Sequence, residues 1–259
     1  MEINIHNTAI VSSKAQIGNG TSIGPYSIVE DNVIIGENCK IGPHVGIYDG
    51  SRIGNRVKIY QGVSFSNHPQ DLKFDNEEST CEVGDDTVIR EFVTLHRGTK
   101  ESRITKVGKN CLLMAYSHIA HDVIIGNNCI LANIVQLGGH VELEDWVILG
   151  GNALVHQFGK VGQHSMVGAG YRVVVDVPPY VLAAGDPLKY EGLNVIGLRR
   201  RGFSNDEIAT LKYIYNIIFR QELNHSQAIE KILKEFPNDK YADSVLAFLN
   251  KSKRGIIKK

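Results

Sequence analysis

The stretch SHIAHDVIIGNN, residues 117–128, sets His118 and His121 three residues apart and puts Asp122 directly after the second. Neutral imidazole is the usual side chain for taking a proton near neutral pH, and an adjacent carboxylate can fix its tautomer and stabilise the imidazolium. Backbone amides of glycine facing such a pair would stabilise an oxyanion. If the substrate brings its own attacking hydroxyl, no serine or cysteine nucleophile is needed. The chemistry suggested is direct acyl transfer, which calls for neither a cofactor nor a metal.

The elements that must position these groups follow from a repeat. Aliphatic residues recur at every sixth position from Ile5, Val11 and Ile17 to Ile59, with Phe65 closing the series. The spacing resumes at Val83, Ile89 and Leu95, and again from Val107 to Val173. Two residues before each of these sits a small or β-branched residue such as Ala15, Thr21, Ser27 or Val33. With a strand period of two, both slots face inward. Cys39, Cys81, Cys111 and Cys129 all occupy the small slot, so they are expected to be packed, inert thiols. Glycine often follows the aliphatic residue, as at Gly18, Gly24, Gly36 and Gly126, which suggests that glycine makes the corner bends. A period of six with short strands is not helical, and each unit buries its apolar side only by stacking on its neighbours. The fold expected is a left-handed parallel β-helix.

This pattern resembles the hexapeptide-repeat acyltransferases, whose coils are triangular with three hexads, eighteen residues, per turn; the left hand comes from that resemblance. Residues eighteen apart should then stack about 4.8 Å from one another. Ser117 and Ile119 fill the inward slots, so His118, His121 and Asp122 project away from the core. One coil on, Gly139 lies over His121 and His140 over Asp122, while His156, followed by Gln157, lies over Gly138. One wall therefore gathers His121, His140 and His156 with an aspartate, a glutamine and two glycines. Such a flat patch becomes a cleft when triangular solenoids pack side by side, so a homotrimer with sites between subunits is expected.

The repeat is interrupted near 66–82 and 97–106, and both stretches are expected to loop out, where they can reach over a substrate or a neighbouring subunit. Past Val173 the pattern dissolves into DVPPYVLAAGDP. The division expected is a β-helix over 1–188 and a helical domain over 189–259. Ser204 and Glu207 form a capping box, and NHSQ and PND signal two further helices over roughly 225–235 and 239–252. From 189 onward 14 basic residues stand against 8 acidic ones, whereas the whole chain has 28 of each. Overall neutrality offers no case for nucleic acid or an anionic membrane surface. The start MEINIHNTAIV lacks the pattern of a signal peptide, and no apolar run approaches the roughly 18 residues of a membrane span, which reads as a soluble, cytoplasmic protein without a transmembrane segment.

QDLKF, LHRGT, SHIAHD, GGNALVHQFGKVG, DVPPYVLAAGDP and GLRRRGFS, in this order, resemble the UDP-N-acetylglucosamine O-acyltransferases of lipid A synthesis over essentially the whole chain. The resemblance implies transfer of an (R)-3-hydroxyacyl group from acyl carrier protein to the 3-hydroxyl of UDP-N-acetylglucosamine. It makes His121 the general base, Asp122 its orienting acid, and the Gly139 amide the oxyanion donor. It places substrate contacts at Asp71, Lys73, His118, His140, His156, Gln157, Asn194, Arg200 and Arg201, and an acyl-length ruler at Ala169. Planar guanidinium groups suit the nucleotide diphosphate, and the basic tail suits an acidic carrier protein. The chain departs from many of these relatives at Ile196, where they carry glutamate. Two other readings remain: a zinc enzyme resembling γ-type carbonic anhydrases, with His118, His121 and His140 as ligands, and a noncatalytic scaffold. Metal analysis separates the first, and a chemically unremarkable wall would mark the second.

Overall fold

The computed structural model describes residues 2–221 and 223–259. Every hexad becomes one short strand on one of three flat faces, and among the described residues the three sheets hold 11, 9 and 8 strands, parallel but for the last strand of the 11. The core is a column of the aliphatic positions, with Ile47, Phe65, Ile89, Leu113, Ile119 and Leu131 fully buried. The small-slot residues are buried beside them. Where that residue is polar, it bridges coils: the Thr21 hydroxyl donates to Gly36 O at 2.8 Å and accepts from Cys39 N at 3.0 Å. This satisfaction is why serine and threonine are tolerated in the core. All four cysteines are buried and free.

The eighteen-residue ruler holds above the second interruption. Ile119 pairs with Leu137, and Leu137 with Val155. Across the interruptions it lengthens, because residues are extruded: Lys58 pairs with Val88, and Thr94 with His118.

The corner glycines act differently from the sequence expectation. Gly18, Gly36 and Gly126 do not take left-handed backbone angles; a Cβ on Gly18 would lie 2.6 Å from the Gly36 carbonyl carbon, so glycine is there because coils stack closely. The left-handed turn falls two residues later, at Asn38 (φ 56°), Asn128 (φ 59°) and their equivalents. Asparagine, aspartate and histidine tolerate that region best among residues with a Cβ. Three edges result, each carrying a column of such residues. The first edge includes Tyr26, His44, Tyr116 and Asn152; the second, Asp122, His140 and Phe158; the third, Asn128, Trp146, His164 and Tyr180.

Near the top, Val181–Ala184 still adds in parallel to Met166–Val167, and Lys189–Leu193 then turns back antiparallel to it. The expected division at 188/189 thus falls within this hairpin. Four helices follow: α1 (Val195–Arg200), α2 (Asn205–Arg220), α3 (His225–Glu235) and α4 (Lys240–Lys251). The Ser204–Glu207 capping box forms, and Asn224 and Asp239 cap α3 and α4. Helix α1 was not foreseen; its N-cap is Asn194, a residue read from the sequence as a substrate contact. After α4 the chain returns along the prism, pairing Ile256 with Asp176 and Lys258 with Lys189 and burying Ile257. None of the helices described is long and apolar enough to cross a membrane.

Candidate active site

His121 and Asp122 occupy the second edge, in the turn between the strand His118–Ile119 and the strand Ile124–Ile125. The core slots just before the pair are filled by Ser117 and Ile119, and those just after by Val123 and Ile125, as the repeat requires. His121 Nδ1 lies 2.7 Å from Asp122 Oδ2, which leaves Nε2 free to act as a base. One coil up, a Cβ on Gly139 would come within 2.7 Å of His121 Cε1 and 2.8 Å of Nε2, so the glycine backbone lies against the imidazole. The Gly139 N–H donates to no acceptor among the described residues. His140 sits over Asp122, its ring edge-on to His121 at 5.2 Å and stacked on Phe158 at 4.5 Å.

Asp122 differs from the expectation of an outward group, because its side chain is fully buried. The second excursion, residues 97–106, folds down on its own chain and covers the carboxylate. Burial alone would push the Asp122 carboxyl up; hydrogen bonds from His121, Ser102 and Thr99 outweigh it and hold the group well below the usual carboxylate range. In turn the hydrogen bond to Asp122 raises His121 above the ordinary histidine value of 6.5, against burial and with help from Asp71 and Glu101. His118 is pushed down to about 4 by burial, with His96 and His121 adding to the effect.

A base works only when unprotonated. With the pKa of His121 raised, kcat/KM should fall on the acid side with a midpoint above 6.5. A pH–rate profile with a midpoint below that value would contradict control of His121 by Asp122.

The remaining residues singled out in the sequence lie on different edges. Asp71 and Lys73 are on the first excursion, near the second edge, where Asp71 Oδ1 accepts from Lys73 N at 3.0 Å. His118 lies on the second face with Nδ1 2.8 Å from Thr94 Oγ1, and begins a mostly apolar groove of about 370 Å³ that continues past Gln136, Leu154 and His156 to Arg172 and Val174. His156 and Gln157 are exposed beside that groove, and Arg254 of the returning C-terminal segment reaches both. Within one chain Asn194, Arg200 and Arg201 lie away from His121. Asn194 is buried on the third edge, donating to His164 O at 3.0 Å, while Arg201 lies over the Trp146 ring at 5.2 Å and Arg200 is exposed. Ala169 lies exposed on the first edge, in the turn between Met166–Val167 and Arg172–Val173. Ile196 is also exposed, in the first turn of α1, two residues after its N-cap Asn194.

Several site residues escaped the sequence reading. His96 is buried against His118 at 5.2 Å, its Nδ1 on His68 O at 2.6 Å and its Nε2 without a partner. Thr94, Thr99 and Ser102 were also missed. A ruler of 24 rather than 18 residues across the second excursion would have brought Thr94 beneath His118.

His121, Asp122 and His140 offer ligand atoms within 4.8 Å of one another, a set different from the three histidines considered above. Both Asp122 oxygens already accept from His121, Thr99 and Ser102, so a cation would have to displace a complete set of donors.

Comparison with known proteins shows the family of the chain. Residues 176–257 match the family described as UDP N-acetylglucosamine O-acyltransferase, domain 2, and residues 14–49, 32–67 and 104–133 match the bacterial transferase hexapeptide. A protein of Thiobacillus denitrificans named acyl-[acyl-carrier-protein]–UDP-N-acetylglucosamine O-acyltransferase is 47% identical across 98% of this chain and 99% of its own. The chain belongs to the UDP-N-acetylglucosamine O-acyltransferase family. A relative of the same name from Herminiimonas arsenicoxydans is 46% identical over 98% of this chain and 99% of its own. The solved UDP-N-acetylglucosamine acyltransferase of Bacteroides fragilis superimposes with a TM-score of 0.95 at 42% identity, covering 98% of this chain and 99% of that one. That of Francisella novicida gives 0.96 at 37%, covering 98% and 94%. The expected left-handed β-helix and the acyltransferase class therefore agree with family membership.

Proposed function

We propose that this UDP-N-acetylglucosamine O-acyltransferase moves an (R)-3-hydroxyacyl group from acyl carrier protein to the 3-hydroxyl of UDP-N-acetylglucosamine in the cytoplasm, the first step of lipid A synthesis. The observation that carries the mechanism is the His121–Asp122 pair with the Gly139 backbone laid against it. His121 Nε2 takes the proton of the sugar hydroxyl as its oxygen attacks the thioester carbonyl. The negative charge passes to the carbonyl oxygen, where the Gly139 N–H faces it. Collapse breaks the C–S bond, and the departing thiolate takes the proton back from His121. Asp122 keeps Nδ1 protonated and the ring oriented throughout. Asp71, Lys73, His118, His140, His156 and Gln157 line the approach to this centre, with the apolar groove on the second face available to the acyl chain.

The same placement supports a homotrimer. Within one chain Arg201 and Asn194 occupy the third edge, Ala169 the first and His121 the second, so one prism cannot bring them to a common centre. Side-by-side packing of three chains can, with Arg200 and Arg201 reaching the diphosphate and Ala169 ending the groove from neighbouring copies. Exposed Ile10, Ile28, Tyr26, Tyr116 and Ile134, clustered on the first edge and second face, supply an apolar surface for such packing.

Acyl transfer with UDP-N-acetylglucosamine and a panel of hydroxyacyl carrier proteins tests the function; stoichiometric zinc with activity lost on chelation would replace this mechanism. Mixing tests the assembly. Chains carrying His121→Ala and Arg201→Ala, each inactive alone, should regain roughly a quarter of wild-type activity when co-assembled, since one of four chain orders at an interface is intact. No recovery would place both residues' functions within one chain.

A further inference from the structure

We infer that the second excursion, residues 97–106, is a positioning loop whose Thr99 and Ser102 hold Asp122 as an oriented carboxylate and thereby set the basicity of His121. The inference rests on the general-base reading of His121 and adds what governs it. Four donors converge on one buried carboxylate. Thr99 N donates to Oδ1 at 3.0 Å, the Thr99 hydroxyl to Oδ2 at 2.7 Å, the Ser102 hydroxyl to Oδ1, and His121 to Oδ2 at 2.7 Å. Asp122 N donates in turn to Thr105 Oγ1 at 2.8 Å, so the same loop fixes the backbone as well.

The loop is built to be stiff. Arg103 N closes it on Thr99 O at 2.7 Å, and a Cβ on Gly98 would lie only 2.2 Å from Ile104 N, which only glycine permits. Lys100 N donates to Glu77 Oε1 at 2.7 Å, tying this loop to the first excursion.

A buried carboxylate held by a single histidine would share that histidine's proton. Three donors from the loop lower its proton affinity and fix its plane, so the proton stays on His121 Nδ1 and Nε2 remains the acceptor. The other titratable groups around His121 are Asp71 on the first excursion, Glu101 on the second, His140 on the next coil, and His96 and His118 on the second face. None of these reaches the Asp122 oxygens as the loop hydroxyls do; His140 Nε2 is 3.7 Å away.

The test is Ser102→Ala in the full chain, read by NMR titration of the His121 imidazole and by the pH profile of kcat/KM. With one donor gone the carboxylate binds the imidazolium more strongly. The His121 midpoint and the acid limb should both move up by roughly half a pH unit to one unit, and Ser102→Thr, which keeps a hydroxyl, should restore them. A hydroxyl that served only loop packing would lower the melting temperature and leave the midpoint in place, which overturns the proposal. If Ser102→Ala does not fold, Thr99→Val carries the same comparison, with Thr99→Ser as its restoring variant. The NMR midpoint needs no turnover, so absence of acyl transfer by the wild type would defeat the functional reading separately.

Discussion

His121→Ala should lower kcat by ~10² to 10⁴-fold while leaving the fold intact. The size follows from what remains. His140 stands nearest, but its Nε2 faces Asp122 at 3.7 Å and Glu101 at 3.5 Å, and so is turned away from the place where His121 Nε2 would meet a substrate hydroxyl. His118 is tied to Thr94 on the adjacent face. His140 would have to leave its stack on Phe158, and His118 its hydrogen bond to Thr94, to assume the base's position. The fold should survive because the core slots here belong to Ser117 and Ile119, whose burial the substitution does not touch. Steady-state kinetics alongside thermal melting decides the matter. Turnover like the wild type would mean the proton goes elsewhere.

Gly139→Ala should cost about as much, through a single added methyl. That methyl would lie 2.8 Å from His121 Nε2, the atom that must take the proton, and 2.7 Å from Cε1. The ring cannot retreat and still keep Nδ1 on Asp122, so either the base moves or its orienting bond breaks. A displacement near 1 Å in a reacting group is worth on the order of 100-fold in rate. The Gly139 backbone is not in the left-handed region, so alanine introduces no conformational strain and retains the N–H that would hold the oxyanion. Gly151→Ala is the matched control: on the first edge, its Cβ would meet only Asn133 O at 3.5 Å. A drop in kcat at Gly139 but not at Gly151 isolates the clash with the base; rates within twofold of each other would dismiss it.

The solenoid and most of its wall were legible in the sequence because side chains alternate with a period of two and coils with a period of eighteen, so each residue number fixes a face and a height. That logic correctly placed Gly139 over His121 and His140 over Asp122. It failed where the chain leaves the lattice. Burial of Asp122 depends on a loop fold that no periodicity encodes, and the excursion also hid Thr94 beneath His118 by changing the spacing to 24. Asn194 was legible as a polar residue before GLRRRG, yet its oxygen caps α1 and its amide holds His164, roles that required the third edge to be seen. The corner glycines were noticed for the wrong property: absence of a side chain mattered, not freedom of φ.

Both excursions leave the prism at the second edge, one coil apart, and each rejoins it at the next strand, so that Thr80–Val83 and Ile104–Val107 pair side by side. One residue gained or lost within a coil would turn every later side chain inside out, and six would carry the upper half of the molecule a third of a revolution around its axis. Either change between Val107 and His118 would part Thr94, Thr99 and Ser102 from His118 and Asp122. Length variation is therefore absorbed without loss of phase only where chain is already extruded. Within the solenoid, the margin beside the base is where chain length can change without re-indexing the coils above.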